Sequence, residues 1–404
     1  MKDEASPPKL AKIAQDLPAS GIRRFFDIAA QMKDVISLGV GEPDFATPWA
    51  VREAAIYSLE RGHTTYTSNY GLLELRKQLS VYLQKMYGVH YRAEDEILIT
   101  VGVSEGMDLA MRTILDPGDE VLVPEPCYVS YKPCVSLAGG KPIGITTTAA
   151  NDFQITADQL LSASTPATKA ILLGYPSNPT GATMPRDELE KIIRLAKKQN
   201  WFIVSDEIYD RLTYDDPHIC VAALPHARER TILLNGFSKA YAMTGWRLGY
   251  ACAPVEVLTA MMRIHSYTIL CAATPSQKGA LEALKSCESA VQDMVGQYNR
   301  RRKLIVNGLN KIGLTCHMPK GAFYAFPSVA STGLTAEAFA ERLLFEEQVA
   351  VVPGTAFGAG GEQHIRCSYA TSLEKIEMAL ARIGRFVSKL ESESLPEKAK
   401  SGTR

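Results

Sequence analysis

Between about residue 50 and residue 290 the chain alternates two kinds of segment, and this alternation constrains its fold more than any other feature. The short segments are apolar and rich in β-branched residues: Ile97–Val101, Glu120–Pro124, Ala170–Leu173, Trp201–Ser205, Thr231–Leu234 and Arg247–Ala251. Longer segments with apolar residues at helical spacing separate them, among them Leu72–Met86, Ser104–Ile114 and Arg186–Gln199. A strand buried on both faces reads as a continuous apolar run, and parallel neighbours need a helical crossover between them. The pattern therefore predicts an α/β fold, with a mostly parallel sheet covered by helices on both faces. Ligands of such sheets bind beyond the carboxyl ends of the strands. The residues that follow each apolar run are thus the ones to inspect for chemistry.

The flanking regions read differently. Residues 1–13 are expected to form a flexible arm, followed by an amphipathic stretch, Gly21–Ala30. A strand-like Val35–Leu38 runs into Gly39–Pro48, a loop dense in glycine and proline, and Pro48 is placed to open a helix through Arg61. After Pro275 a long helical region extends through Arg302. A smaller α+β pattern follows: Gly321–Phe326, a helix over Ala336–Glu346, then Val349–Pro353, Ile365–Tyr369 and a helix to about Leu390. The expected division is a large domain, 49–290, and a small domain built from 14–48 and 291–390. The polar residues 391–404 lack apolar periodicity and are expected to be a disordered tail.

Composition removes several classes of function. The 44 basic and 44 acidic residues cancel, and no long basic run is present, so nothing electrostatic favours nucleic acid or an anionic membrane. The amino-terminal residues lack an apolar signal core, and no apolar stretch is long enough to span a bilayer, which predicts a cytoplasmic protein. Eight scattered cysteines without a Cys-x-x-Cys pair read as buried thiols, and the seven histidines form no metal-binding pattern.

The candidate chemistry lies at the ends of the apolar runs. Thr231–Leu234 reaches a glycine turn and then Ser238-Lys239, with Arg247 eight residues on, inside Gly245-Trp-Arg-Leu-Gly249. A lysine just past a buried strand is poorly solvated, so it is placed to act as an amine nucleophile, and the arginine could hold an anion beside it. Asp206-Glu-Ile-Tyr209 follows Phe202–Ser205, and on its own Asp206 reads as a helix N-cap. Ser177-Asn-Pro-Thr-Gly181 follows Ile171–Gly174 and on its own is a turn. Gly102-Val-Ser104 opens a helix whose free N–H groups could seat a phosphate.

Taken together, Ser177-Asn-Pro-Thr-Gly181, Ser205-Asp-Glu-Ile-Tyr209 and Ser238-Lys-Ala-Tyr-Ala-Met-Thr-Gly-Trp-Arg247 resemble the motifs of the class I/II aminotransferases. The resemblance runs from about Ile22 to Phe386. It implies the pyridoxal-phosphate-dependent transferase fold (fold type I), with a seven-stranded sheet in the large domain, a smaller α+β domain and the cofactor pyridoxal 5′-phosphate. Lys239 would then form an imine with the cofactor and later move protons, while Asp206 would keep the pyridine nitrogen protonated. Tyr209 and Asn178 would bond the ring 3-oxygen. Tyr128, otherwise a core tyrosine, would stack on the ring. Val103, Ser104, Ser238 and Arg247 would hold the phosphate, joined by Tyr66 from the partner subunit of a homodimer with shared sites. Arg366 would clamp the substrate carboxylate, assisted by Gly41 and Asn178, under a cover that includes Ile22 and the Gly39–Phe45 loop.

The chain departs from the family in two places. Gly236 stands where many members carry a phosphate-binding serine, and Ser104 stands where a bacterial subgroup acting on aspartate has lysine. The activity implied is ping-pong exchange of an amino group between an L-amino acid and a 2-oxo acid, with 2-oxoglutarate or glutamate as common partner. Aspartate, alanine, aromatic and acylated diamino acids all remain candidate donors. A C–S β-lyase on the same scaffold is an alternative. A non-catalytic regulator that binds the cofactor is another, but it would want an appended DNA-binding module for which neither terminus has room.

Overall fold

The computed structural model describes residues 9–17, 32 and 34–394. The expected amphipathic stretch Gly21–Ala30 and the predicted cover residue Ile22 lie outside the described residues, as do 395–404. The first strand, β1 (Ile36–Ser37), is separate from the main sheet and pairs in parallel with Val349–Ala350. The next seven strands form that sheet: β2 (Ile97–Thr100), β3 (Glu120–Glu125), β4 (Lys141–Thr146), β5 (Thr168–Gly174), β6 (Phe202–Asp206), β7 (Thr231–Gly236) and β8 (Gly249–Cys252). Their spatial order is β2-β8-β7-β6-β5-β3-β4. All neighbours pair in parallel except β8, which is antiparallel to both β2 and β7.

Alternation along the strands explains why both faces need helices. Val121 and Val123 of β3, Leu172 of β5 and Val204 of β6 enter one apolar cluster, with Met107 and Met111 of the helix Gly102–Ile114. Leu122, Ile171, Leu173 and Ile203 enter another, with Leu189, Ile192 and Ile193 of the helix Arg186–Gln199. Successive side chains point to opposite faces, so a strand with both parities buried must be sandwiched. The Arg186–Gln199 helix buries Leu189, Ile192, Ile193 and Ala196, a stripe at helical spacing. Acidic residues stand in its first turn and lysines in its last, as the helix dipole favours.

The apolar runs located six of the seven strands of the main sheet and missed β4. That edge strand, Lys-Pro-Ile-Gly-Ile-Thr, buries only Ile145 and so lacks an apolar signature. Arg247 was expected to begin a strand; instead β8 starts at Gly249, and Arg247 sits ahead of it in the left-handed region, φ 51°. The helical region after Pro275 is two helices, Thr274–Ser286 and Glu288–Lys311, divided at Cys287. Further along the chain, β9 (Tyr324–Ala325), β10 (Val349–Ala350), β11 (Val352–Pro353) and β12 (Ile365–Ser368) complete the set. Strands β11, β12 and β9 form an antiparallel sheet in that order. The last helix, Leu373–Ser394, continues past the end expected at Leu390. The largest apolar cluster joins Leu75, Ile97 and Tyr241 to Phe323, Phe339 and Phe386, so packing is continuous across the sequence boundary expected at residue 290. All eight cysteines are free thiols, six of them buried. Among the described residues no helix is long and apolar enough to cross a membrane.

Candidate active site

The strand directions converge on one edge of the main sheet. Asp206 ends β6, Asn178 follows β5, Tyr128 follows β3, Val103 and Ser104 follow β2, and Lys239 follows β7. Because β8 runs antiparallel, its beginning rather than its end lies on this edge, which brings in Arg247. These residues, with Tyr209, Ser238, Gly41 and Arg366, line one cavity of about 340 Å³, within the range of small-molecule sites. A larger cavity, of about 500 Å³, contains none of them.

Lys239 leaves β7 through a tight turn and donates from Nζ to the Gly41 carbonyl at 2.7 Å. Its ammonium faces the rings of Phe323 and Tyr209, 5.7 and 5.9 Å from their centroids. Burial lowers its pKa to about 8; Glu42 opposes this, while the cations Arg366 and Arg247 reinforce it. The Asp206 carboxylate is not a helix N-cap. It accepts from the Tyr131 hydroxyl at 2.8 Å and from the Ile208 N–H at 3.1 Å. Burial raises its pKa to about 6 despite those two hydrogen bonds.

Arg366, on β12, is 3 % exposed. Its guanidinium lies between the rings of Tyr324 and Phe357, at 4.5 and 4.8 Å. It donates to Asn178 Oδ1 at 2.9 Å and to the Gly39 carbonyl at 2.6 Å, while its buried Nε has no partner among the described residues. A buried donor left unmatched in an otherwise satisfied site marks a place for an acceptor. Tyr209 shares a 2.8 Å hydrogen bond with Tyr324, hydroxyl to hydroxyl. Gly41, expected to assist at the substrate carboxylate, presents its carbonyl to Lys239. Tyr66 lies apart from these groups, 80 % exposed on the surface.

Two residues of this set were not singled out from sequence. Tyr131 lies three positions after Tyr128, at the start of the helix Tyr131–Leu137, and nothing local separates it from a core tyrosine. Tyr324 sits opposite Ser368 in the β9–β12 pair, a neighbour relation that only strand pairing creates.

The glycines set the packing at the start of the helix Gly102–Ile114 and explain the departure at Gly236. The helix Gly102–Ile114 starts with no side-chain cap. A Cβ on Gly102, φ +72°, would come within 2.7 Å of the Arg247 guanidinium. One on Gly249 would come within 2.8 Å of the backbone at Gly102 and Val103. Gly236 pairs with Gly249 across β7 and β8, and a Cβ there would meet the Gly249 Cα at 2.9 Å. A serine at position 236 therefore has no room in this packing.

The family model for class I and II aminotransferases matches residues 33–383. A putative aminotransferase, YugH, of Bacillus subtilis is 52 % identical over 94 % of this chain and 98 % of its own length. A probable N-acetyl-LL-diaminopimelate aminotransferase of the same species is 44 % identical, covering 93 % and 95 %. The solved aromatic aminotransferase from Pyrococcus horikoshii superposes with a TM-score of 0.87 at 41 % identity, over 92 % of this chain and 99 % of that one. The chain belongs to the class I and II aminotransferases. It is a pyridoxal-phosphate-dependent enzyme acting on amino and keto acids. The residues present fit that cofactor: a lone amine of lowered pKa, a buried carboxylate and an uncapped helix start beside an arginine share one cavity.

Proposed function

We propose that Lys239 carries the cofactor and that the chain exchanges an amino group between an L-amino acid and a 2-oxo acid in two half-reactions, with 2-oxoglutarate or glutamate as common partner. The observation that carries this reading is the Lys239 amine, its pKa lowered to about 8, in one cavity with Asp206 and Arg366. When bound, pyridoxal phosphate supplies the electron sink that accepts negative charge from the substrate α-carbon. An amine titrating near neutrality can both take and return a proton, which is the task assigned to Lys239 Nζ. Asp206 holds the pyridine nitrogen protonated, since a cation facing a buried carboxylate is stabilised by it. Oδ1 of Asn178 is bonded to Arg366, so its amide N–H group is left to donate to the ring 3-oxygen alongside the Tyr209 hydroxyl. Tyr128 covers the ring face. Val103, Ser104, Ser238 and Arg247 bind the phosphate, and Arg366, with Asn178 and Gly41, orients the substrate carboxylate through its planar fork.

The protein is proposed to act as a homodimer in which Tyr66 of the partner subunit completes each phosphate site. Support comes from its 80 % exposure on the isolated chain. Eight free thiols favour a reducing compartment, the cytoplasm. The relatives' names span acylated diamino acids and aromatic amino acids, so donor choice is left to measurement. The test is half-reaction spectroscopy of the purified enzyme against a panel of amino acids. The expected result is loss of the bound cofactor's visible band, release of one 2-oxo acid per site, and recovery of the band with 2-oxoglutarate. Ammonia and pyruvate from cysteine conjugates, without recovery by 2-oxoglutarate, would replace transamination with elimination. Mixing inactive Lys239→Ala chains with chains disrupted at Tyr66 should restore activity; no recovery would remove the shared site.

A further inference from the structure

Glu105 follows Ser104 in the first turn of the helix Gly102–Ile114. An acidic side chain in a first turn can reach back to the backbone N–H of the residue before the helix, leaving the helical N–H groups themselves untouched. Glu105 does so: its Oε2 accepts from the N–H of Val101, at 2.5 Å. From the other side the Thr100 hydroxyl donates to the Gly102 carbonyl at 2.9 Å. The turn between β2 and the helix is therefore held at both ends, while the N–H groups of Val103 and Ser104 stay free of side-chain caps.

The second oxygen of Glu105 meets His265 Nδ1 at 2.6 Å. His265, on the helix Val255–Thr268, is 0 % exposed, and its Nε2 has no partner among the described residues. A buried histidine whose one engaged ring nitrogen meets this carboxylate fixes the carboxylate's direction, and a fixed carboxylate fixes the backbone it bonds.

We propose that Glu105 and His265 are a positioning pair. By clamping the Val101–Gly102 turn, they aim the free N–H groups of Val103 and Ser104 at the cofactor phosphate without touching the cofactor. The proposal rests on the reading that the phosphate sits at this helix start, and it assigns roles to two residues outside the cavity.

The test titrates apoenzyme with two ligands, pyridoxal 5′-phosphate and pyridoxal, which differ only in the phosphate. Glu105→Gln, nearly isosteric, is the primary variant, and His265→Leu is the second. Losing one charge-assisted hydrogen bond should raise the Kd for pyridoxal 5′-phosphate about tenfold and leave that for pyridoxal within about twofold. Equal weakening of both ligands would make the pair merely structural and overturn the proposal, as would an unchanged Kd in Glu105→Gln. Ser104→Ala and Arg247→Ala separate the two levels of argument. If they leave the preference for the phosphorylated ligand intact, the phosphate seat lies elsewhere. If they abolish it while Glu105→Gln does not, only the positioning role fails.

Discussion

Replacing Lys239 with methionine removes the amine and keeps most of the side chain's length, so it isolates the cost of burying the charge. In the folded chain burial lowers this amine from 10.5 to about 8, with Glu42 opposing and Arg366 and Arg247 reinforcing. At about 1.36 kcal/mol per tenfold, that displacement corresponds to roughly 3 kcal/mol. Below pH 8 the ammonium is charged in both states, and the folded state carries the whole cost. Between pH 8 and 10.5 the unfolded chain holds a proton that the folded chain has released, so wild-type stability climbs with pH. Above that range the cost is gone. The variant also loses the 2.7 Å bond to the Gly41 carbonyl, worth about 1 kcal/mol. Lys239→Met apoprotein should therefore be more stable than wild type by about 2 kcal/mol at pH 7, with the advantage closing by about pH 10.5. Urea unfolding of both apoproteins across this range, at one protein concentration, measures it. A variant no more stable than wild type at pH 7, or an advantage that does not shrink as pH rises, refutes the reasoning.

Two further outcomes follow from the site's geometry. Arg366→Lys gives up a planar fork bonded to Asn178 and Gly39 and should lower kcat/KM for every amino acid, mainly through KM. Loss of one or two charged hydrogen bonds sets the effect at roughly 2–4 kcal/mol, and steady-state kinetics within threefold of wild type would move the carboxylate site elsewhere. Gly236→Ser restores the serine of many family members but drives a Cβ against the Gly249 backbone. It should cost about 1–3 kcal/mol in thermal unfolding and weaken cofactor binding rather than improve it.

The legibility of this chain varied with how much of its structure is local. The six buried strands announced themselves because both parities of each are apolar, and β4 did not because its side chains are largely exposed at a sheet edge. Lys239, Asp206 and Asn178, which line one cavity with Arg366, were singled out because strand ends, motif spacing and family resemblance agree on them, and Arg366 by the resemblance alone. Tyr131 and Tyr324 were not, since each gains its place from a partner far along the chain, Asp206 for one and Tyr209 for the other. Arg247 was located by motif but misread as strand, because a left-handed backbone at a non-glycine residue leaves no trace in composition.

By itself the sequence determined the layered α/β class and pointed to the sheet edge and to the lysine, carboxylate and arginines that line one cavity there. These follow from local patterning and from residue chemistry, which act over a few positions. Tertiary structure alone decided the rest. The antiparallel course of β8 carries Arg247 to the same edge as Lys239. Glycine contacts among 102, 236 and 249 leave no room for a serine at position 236. Packing of the Val255–Thr268 helix places His265 against Glu105, 160 residues away in sequence. The perturbation of Lys239 itself comes from desolvation and from charges on three distant segments, quantities that exist only once the chain has closed around it.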